Sequence, residues 1–502
     1  MIDVVGEALA IAMFISICAT MMLGYPLAFT LAGTSLIFAV IGHFLGHFDF
    51  VLFMGLAPRY FGVMMNEVLV AVPLFIFMGM VLERSGIAEA LLTTMGQLFG
   101  RIRGGLGYSV VIVGTVLAAS TGVVGATVVT MGLISLPAML RAGYDPKLAS
   151  GTICASATLS QLIPPSTVII FISDILQGVN QMAQLRMGNL APTPVSVGDL
   201  FAGALLPGLV LVGLYLGWNI WKAISEPESA PALVMTEAER RGLAKNVLVA
   251  MVFPLLLVLS VLGSILAGIA TATESASIGA VGAVLFAAMR GRLTFKVIEE
   301  AVKRTATTTS MIFLILLGAS VFSLVFRGLG GEALVEEALQ AMPGGPMGAA
   351  LVCMAVMFVL GFFLDTFEII FIMLPIFGPP LLIMGFDPIW LGVMVAINLQ
   401  TSFLTPPFGF TLFYLRSVAP PSIRTTEIWR GAMPFVALQL LAMGVLFFQP
   451  QLVTWLPDRL FRSPPASEAT DAPARSSDQL LQDLLMPDPL MNPGNDLLMP
   501  QR

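Results

Sequence analysis

The stretch SQLIPPS, Ser160 to Ser166, places a serine and a double proline in the middle of a run apolar enough to lie in a lipid bilayer. Proline lacks a backbone donor and its ring clashes with the preceding turn, so two in succession interrupt any helix running from Leu148 to Ile175. Inside hydrocarbon, carbonyls freed in this way are tolerated only against protein or a water-filled cavity. The interruption then recurs. Pro164 and Pro165 return as Pro406 and Pro407, a displacement of 242 positions (406 less 164). The same displacement carries Gly143, Asp145 and Pro146 onto Gly385, Asp387 and Pro388, Ser156 onto Asn398, and Ser160 onto Ser402. A matched pair of breaks in two halves of a membrane chain points to a transporter's binding site.

Composition agrees with a membrane setting. Of the 502 residues, 57% are hydrophobic and 11% charged, where a soluble domain carries roughly 25% charged residues. Mean hydropathy is +0.93. No charged residue occurs between Glu7 and Asp49, room for two spans of about 20 residues each. The N-terminus carries Asp3 and Glu7 and no basic region, so it reads as the first span rather than a cleaved signal. A net charge of −6 gives no footprint for nucleic acid. Cys18, Cys154 and Cys353 lie in separate apolar segments and read as small buried hydrophobes.

Outward from the break, spans read at about 4–22, 24–42 and 62–83, with an apolar stretch at about 106–140 divided at Ser120 to Gly122. That stretch is too long for one plain span, and a hairpin that enters the membrane and returns on the same side explains its length and its central break. Arg101, Arg103, Arg141 and Lys147 at its base place that base in the cytoplasm. The broken helix follows at about 148–176. A further span ends near Trp221, and the polar segment at 226–245 reads as a cytoplasmic linker between halves 1–225 and 246–450. The second half has spans at about 246–266, 268–289 and 305–325, with an interfacial helix expected over 290–304, where charged and apolar residues alternate. A second hairpin at about 347–383, interrupted at Leu364 to Glu368, has no Lys or Arg at its base and opens to the other side. The second broken helix occupies about 389–415, the last span about 431–449, and a disordered tail is expected over 460–502. The fold class is therefore an all-α polytopic membrane protein with an inverted-topology repeat, each half supplying one re-entrant hairpin and one broken helix. Two ordinary spans in place of each hairpin is the rival reading.

Hydroxyls and freed carbonyls at such breaks are hard neutral oxygens, suited to an alkali cation and poor ligands for zinc or copper. Sodium is the natural guest. In the first half the candidates are Thr121, Ser160 and the carbonyls of Ile163 and Pro165; in the second they are Thr366, Ser402, Thr405 and Pro407. The bland alternative is that these hydroxyls bond back onto their own turns. Ser120, Ser156, Ser166, Asp365 and Asn398 are candidates for a substrate pocket. Asp365, Glu368 and Glu274 sit in apolar segments, where an ionisable group usually faces a cavity or a partner. Half-helix N-termini at the breaks favour an anionic substrate group. His43 and His47 are spaced four apart without a third ligand nearby, and no transition-metal site is expected. No GxxxxGK[ST], GxSxG or HExxH occurs, so neither an ATP-driven pump nor an enzyme is supported.

At these residues the chain resembles the large membrane subunit of the tripartite ATP-independent periplasmic (TRAP) transporters. The resemblance covers roughly residues 5–450 and rests on VPLFIFMGMVLERSG (Val72 to Gly86), LISLPAMLRAGYD (Leu133 to Asp145), IPPS (Ile163 to Ser166), ATATESA (Ala270 to Ala276), GFFLDT (Gly361 to Thr366) and TPPFG (Thr405 to Gly409). It implies an elevator-type, sodium-coupled importer in the bacterial inner membrane. A periplasmic substrate-binding protein would deliver an organic anion to this subunit paired with a small four-helix membrane subunit. Sodium would lie at the hairpin tips and PP breaks, with no other cofactor. Where the family usually reads SGS at the first tip, this chain reads TGV from Thr121 to Val123, with Thr127 where an Asp is usual, and Ser160 and Ser402 stand where Gly is common. A stand-alone sodium and anion symporter and a non-transporting scaffold are the rival functions.

Overall fold

Each double proline breaks a helix where the sequence places it. The computed structural model describes residues 4–232 and 243–461, all of whose regular structure is helical; the side chains at 87, 88, 121 and 243–250 also fall outside the description. The first broken helix runs over Pro146–Thr158, passes through a short turn at Leu159–Gln161 and restarts as Thr167–Arg186. The second runs over Pro388–Leu404 and restarts as Phe410–Val418. Both start alike. Asp145 caps the first by accepting from Lys147 N, and Asp387 caps the second by accepting from Ile389 N and Trp390 N. A proline follows each cap at the first helical position, where its missing N–H costs no hydrogen bond. The Pro164–Pro165 and Pro406–Pro407 peptide bonds are both cis.

Each half also folds a helical hairpin. The first joins Gly105–Thr121 to Val124–Arg141, and the second joins Gly345–Leu360 to Thr366–Ile383. At the first tip Gly122 turns the chain with φ 61°, and a Cβ there would lie 3.1 Å from the Thr167 methyl, so glycine is required on both counts. At the second tip a capping box makes the turn: the Asp365 carboxylate accepts from Thr366 N at 2.7 Å and Glu368 accepts from Asp365 N at 2.9 Å. The acidic pair expected to face a cavity or partner thus spends acceptors on starting a helix. Glu274 does the same in an exposed box with Thr271.

The two halves interlock reciprocally. The returning arm of the second hairpin packs on Thr167–Arg186, and the returning arm of the first packs on Phe410–Val418. Thr425–Phe448 packs on Pro146–Thr158, as Val197–Ser225 packs on Pro388–Leu404. Phe171 of the first half stands edge-on to Phe367 and Phe371 of the second, each at 5.3 Å. Buried amides tie the same elements together. Gln439 Nε2 donates to Tyr215 Oη at 2.6 Å and to Thr158 Oγ1 at 3.3 Å, while Gln400 Nε2 donates to Tyr215 Oη at 3.3 Å. One line of hydrogen bonds therefore runs from one broken helix to the other.

Around this core the described residues contain nine helices long and apolar enough to cross a membrane, or ten if the bent pair Phe50–Met64 and Glu67–Arg84 counts as one. Ile15, Phe29 and Ile37 stand exposed on such helices, placements suited to hydrocarbon and costly in water. The span expected over 62–83 is helix Glu67–Arg84, preceded by a bent segment. The separate interfacial helix expected over 290–304 does not exist. Thr294 caps a single helix, Phe295–Gly328, whose 34 residues span about 51 Å at 1.5 Å each, because no glycine or proline interrupts it before Gly318. Helices Ile87–Phe99 and Gly331–Gln340, one before each hairpin and entered from left-handed Gly86 and Gly330, were unforeseen, as were Leu56–Met64 and Gln451–Leu460. Of the expected linker, 226–232 is tied down: Ala230 O accepts from Gly104 N and Ser229 O from Asp145 N. The rest of that linker to 242, and the tail expected at 460–502 beyond Phe461, lie outside the described residues.

The interlock brings backbones into contact. A Cβ on Gly431 would lie 2.0 Å from the Lys147 carbonyl oxygen, and one on Gly151 would lie 2.0 Å from the Gly431 carbonyl oxygen. Gly217, by contrast, has open space. Gly431→Ala and Gly151→Ala should each destabilise the fold by about 1–3 kcal/mol, the usual cost of overpacking, and lower the melting temperature of the detergent-purified protein. Gly217→Ala should leave it unchanged. Equal melting temperatures for all three variants would contradict this packing.

Candidate functional site: the cleft between the hairpin tips

A cleft of about 440 Å³ lies where the two hairpins and the two broken helices meet. The first hairpin contributes Gly122 to Ala126 and Val129; the second contributes Asp365, Thr366 and Phe367. The first broken helix supplies Gln161 and Val168, and the second Phe403 and Tyr414. Two further helices close it: Glu67–Arg84 with Ile76, Met80, Glu83 and Arg84, and Phe295–Gly328 with Arg304 and Thr308. Its volume falls in the range of small-molecule sites, roughly 300–1,000 Å³.

One hydrogen bond joins the halves at its wall. Gln161 Nε2, on the first broken helix, donates to Thr366 Oγ1 at the second tip across 2.9 Å, both residues being buried. At the first tip Thr167 Oγ1 donates to the Gly122 carbonyl at 2.8 Å, holding that tip against the restart of the first broken helix. Charges of both signs also line it. Arg84 pairs with Glu300 at 3.2 Å, and Glu83 accepts from Thr130 Oγ1 at 3.3 Å through one oxygen while its other oxygen takes no hydrogen bond.

Among the residues nominated from sequence, Thr366 and Asp365 line the cleft. Ser160 and Ser402 lie behind it, fully buried, with hydroxyls that donate to the carbonyls three residues back, Ala157 O at 2.9 Å and Leu399 O at 2.8 Å. Such a hydroxyl bonds onto its own turn yet keeps oxygen lone pairs for a second contact. Thr405 likewise donates to Thr401 O at 2.7 Å. Ser402 sits against the end of the second hairpin's entering arm, where a Cβ on Gly361 would meet Ser402 Oγ at 2.1 Å. Ile163 and Pro165 fall in the non-helical link at 162–166, and Pro407 in the matching link at 405–409. Thr121 ends the first arm, with its side chain outside the description.

The remaining pocket candidates do not reach the cleft. Ser120 donates to Leu117 O, Ser156 to Thr152 O and Ser166 to Gln161 O. Asn398 Nδ2 donates to Met354 O at 2.8 Å, and its Oδ1, fully buried, takes no hydrogen bond. His43 Nδ1 shares a hydrogen bond with Phe48 O, and no group of three or more potential metal ligands occurs among the described residues. Sequence reasoning missed Gln161, Tyr414, Arg84 and Arg304. Gln161 had a visible signal, a polar residue beside the double proline; the other three reach the cleft only through tertiary packing.

The family model described as "Tripartite ATP-independent periplasmic transporter, DctM component" matches residues 14–452. A C4-dicarboxylate TRAP transporter large permease of Vibrio cholerae is 29% identical over 472 residues, covering 89% of this chain and 97% of that one. The ectoine TRAP transporter large permease of Halomonas elongata is 28% identical over 454 residues, covering 88% and 97%. The sialic acid TRAP transporter large permease of Vibrio cholerae is 24% identical over 438 residues, covering 87% and 95%. Among solved structures, the fold matches the crystal structure of the Alcanivorax borkumensis YdaH transporter with a TM-score of 0.57 and 15% identity, over 82% of this chain and 90% of that one. The chain is thus an all-helical, multi-pass protein of the bacterial inner membrane, and it belongs to the DctM family, the large permease subunits of the tripartite ATP-independent periplasmic transporters.

Proposed function

We propose that this permease carries out sodium-coupled import of organic acids, in a complex with a small four-helix membrane subunit and fed by a periplasmic substrate-binding protein. The observation that carries the reading is the cleft: both tips and both breaks converge on one ligand-sized space, with the guanidinium groups of Arg84 and Arg304 on its wall to attract a carboxylate. The relatives named for C4-dicarboxylates and sialic acid are named for carboxylates. The proposed division of labour keeps the cations apart from the substrate. Ser160 with the 162–166 link, and Ser402 with the 405–409 link, offer buried neutral oxygens behind the cleft, while the cleft itself holds the anion.

The residues present fit an alkali cation. Each serine has already given its proton to a carbonyl, so its oxygen presents lone pairs only. In the second half Asn398 Oδ1 lies one helical turn before Ser402, buried and without a donor, an orphan that a cation would satisfy. A bound sodium would supply positive charge behind the tips, and these residues would position it and exclude water.

Uptake into proteoliposomes containing this chain, its small partner and the binding protein should require an inward sodium gradient; equal uptake with and without the gradient would remove the coupling. Ser160→Ala combined with Ser402→Ala should raise the sodium concentration for half-maximal uptake by about tenfold or more, since one lost contact of ordinary hydrogen-bond strength is worth roughly that factor. A non-transporting scaffold would leave uptake by the assembled system untouched. Uptake that proceeds without any binding protein would favour a stand-alone symporter.

A further inference from the structure

Gln161 differs from every other residue on the wall of the cleft in being a neutral amide with one end committed and the other free. Its Nε2 is fixed by the 2.9 Å bond to Thr366 Oγ1, which holds the side chain between the two halves. Its Oε1 takes no hydrogen bond, although the residue is 1% exposed. A buried carbonyl oxygen without a donor costs free energy, and on the wall of a ligand-sized cleft a hydrogen bond from a bound molecule is one way to offset that cost. Gln161 lines a cleft of about 440 Å³, which sets this amide beside any molecule bound there.

We propose that Gln161 is a specificity-determining residue that accepts a hydrogen bond from a hydroxyl of the transported carboxylate, so that the substrate class is hydroxylated organic acids. The inference rests on the carboxylate reading above and narrows it. The cleft lining offers a partner for each group of such a ligand: Arg84 and Arg304 for a carboxylate, and the neutral Gln161 oxygen for a hydroxyl. An ammonium group would be drawn instead to a carboxylate, of which Glu83 and Asp365 line the cleft. Discrimination of this kind is efficient because the analogue lacking the hydroxyl leaves the buried oxygen unpaired, and that penalty falls on the wrong ligand.

The test measures equilibrium binding to the purified complex of this chain with its small partner, in sodium, without the binding protein, whose own selectivity would mask the permease. The probes are matched pairs that differ in hydroxylation: lactate and propionate, malate and succinate, gluconate and hexanoate. The expected result is that the tightest binder carries a hydroxyl and exceeds its deoxy partner by about tenfold, and that Gln161→Met abolishes this preference. A tightest binder without a hydroxyl, or a preference that survives Gln161→Met, overturns the proposal. If no carboxylate in the panel binds, the carboxylate reading itself fails and this one with it. Should Gln161→Met not assemble, the wild-type comparison within each pair decides alone.

Discussion

An α-helix that stops inside an apolar layer leaves backbone donors and acceptors that no lipid can satisfy. This chain does so at two PP links and two hairpin tips, and the whole architecture follows from the need to cover those four places with protein. Each half covers the breaks of the other. The second hairpin lies on the restart of the first broken helix, the first hairpin lies on the restart of the second, and helices Val197–Ser225 and Thr425–Phe448 cross over to pack on the opposite half. Neither half has a finished core alone. The cleft is what remains at the centre of this exchange, and its polar groups are the ones the covering leaves over.

The arrangement also explains which polar residues are structural and which are free to act. Asp365, Glu368, Asp145 and Asp387 each give one carboxylate oxygen to starting a helix, and Asp365 also lines the cleft. Tyr215, Gln439, Gln400 and Thr158 are joined through the two amide nitrogens in the line that crosses between the halves. Ser160 and Ser402 occupy matched positions with matched bonds, their protons committed and their oxygens not. Gln161 joins the first half to the second tip by a hydrogen bond and lines the cleft. Function concentrates where the repeat has left an oxygen without a partner.

Much of this was legible in the sequence because it is written in length and in proline. An apolar stretch too long for one span, with Ser and Gly at its middle, has few other ways to fold, and the first hairpin expected at about 106–140 is found at Gly105–Arg141. The double prolines and the Asp-Pro caps recur at one displacement, so the broken helices followed as well. What was not legible depends on contacts between distant parts of the chain. Arg84, Arg304 and Tyr414 reach the cleft from three different helices, and the Gln161–Thr366 bond closes across 205 positions. The helices Ile87–Phe99 and Gly331–Gln340 escaped because short amphipathic runs between two spans read equally well as loop. The helix expected at 290–304 failed for the opposite reason: a change from charged to apolar composition is not a break when no residue there disrupts helix geometry.

The central claim is that the halves interlock, and a disulfide between them tests it most directly. Val179 is on the first broken helix and Gly378 on the second hairpin, and a Cβ on Gly378 would lie 3.7 Å from that of Val179, within the usual range of roughly 3.5–4.5 Å for a disulfide. The measurement places Val179→Cys with Gly378→Cys in a chain whose Cys18, Cys154 and Cys353 are replaced by alanine and whose linker at 226–245 carries a protease site. After oxidation and cleavage the two halves should migrate as one species without reductant and as two with it. Two separate fragments under oxidising conditions, from a complex that is otherwise folded, would show that the halves do not meet as described.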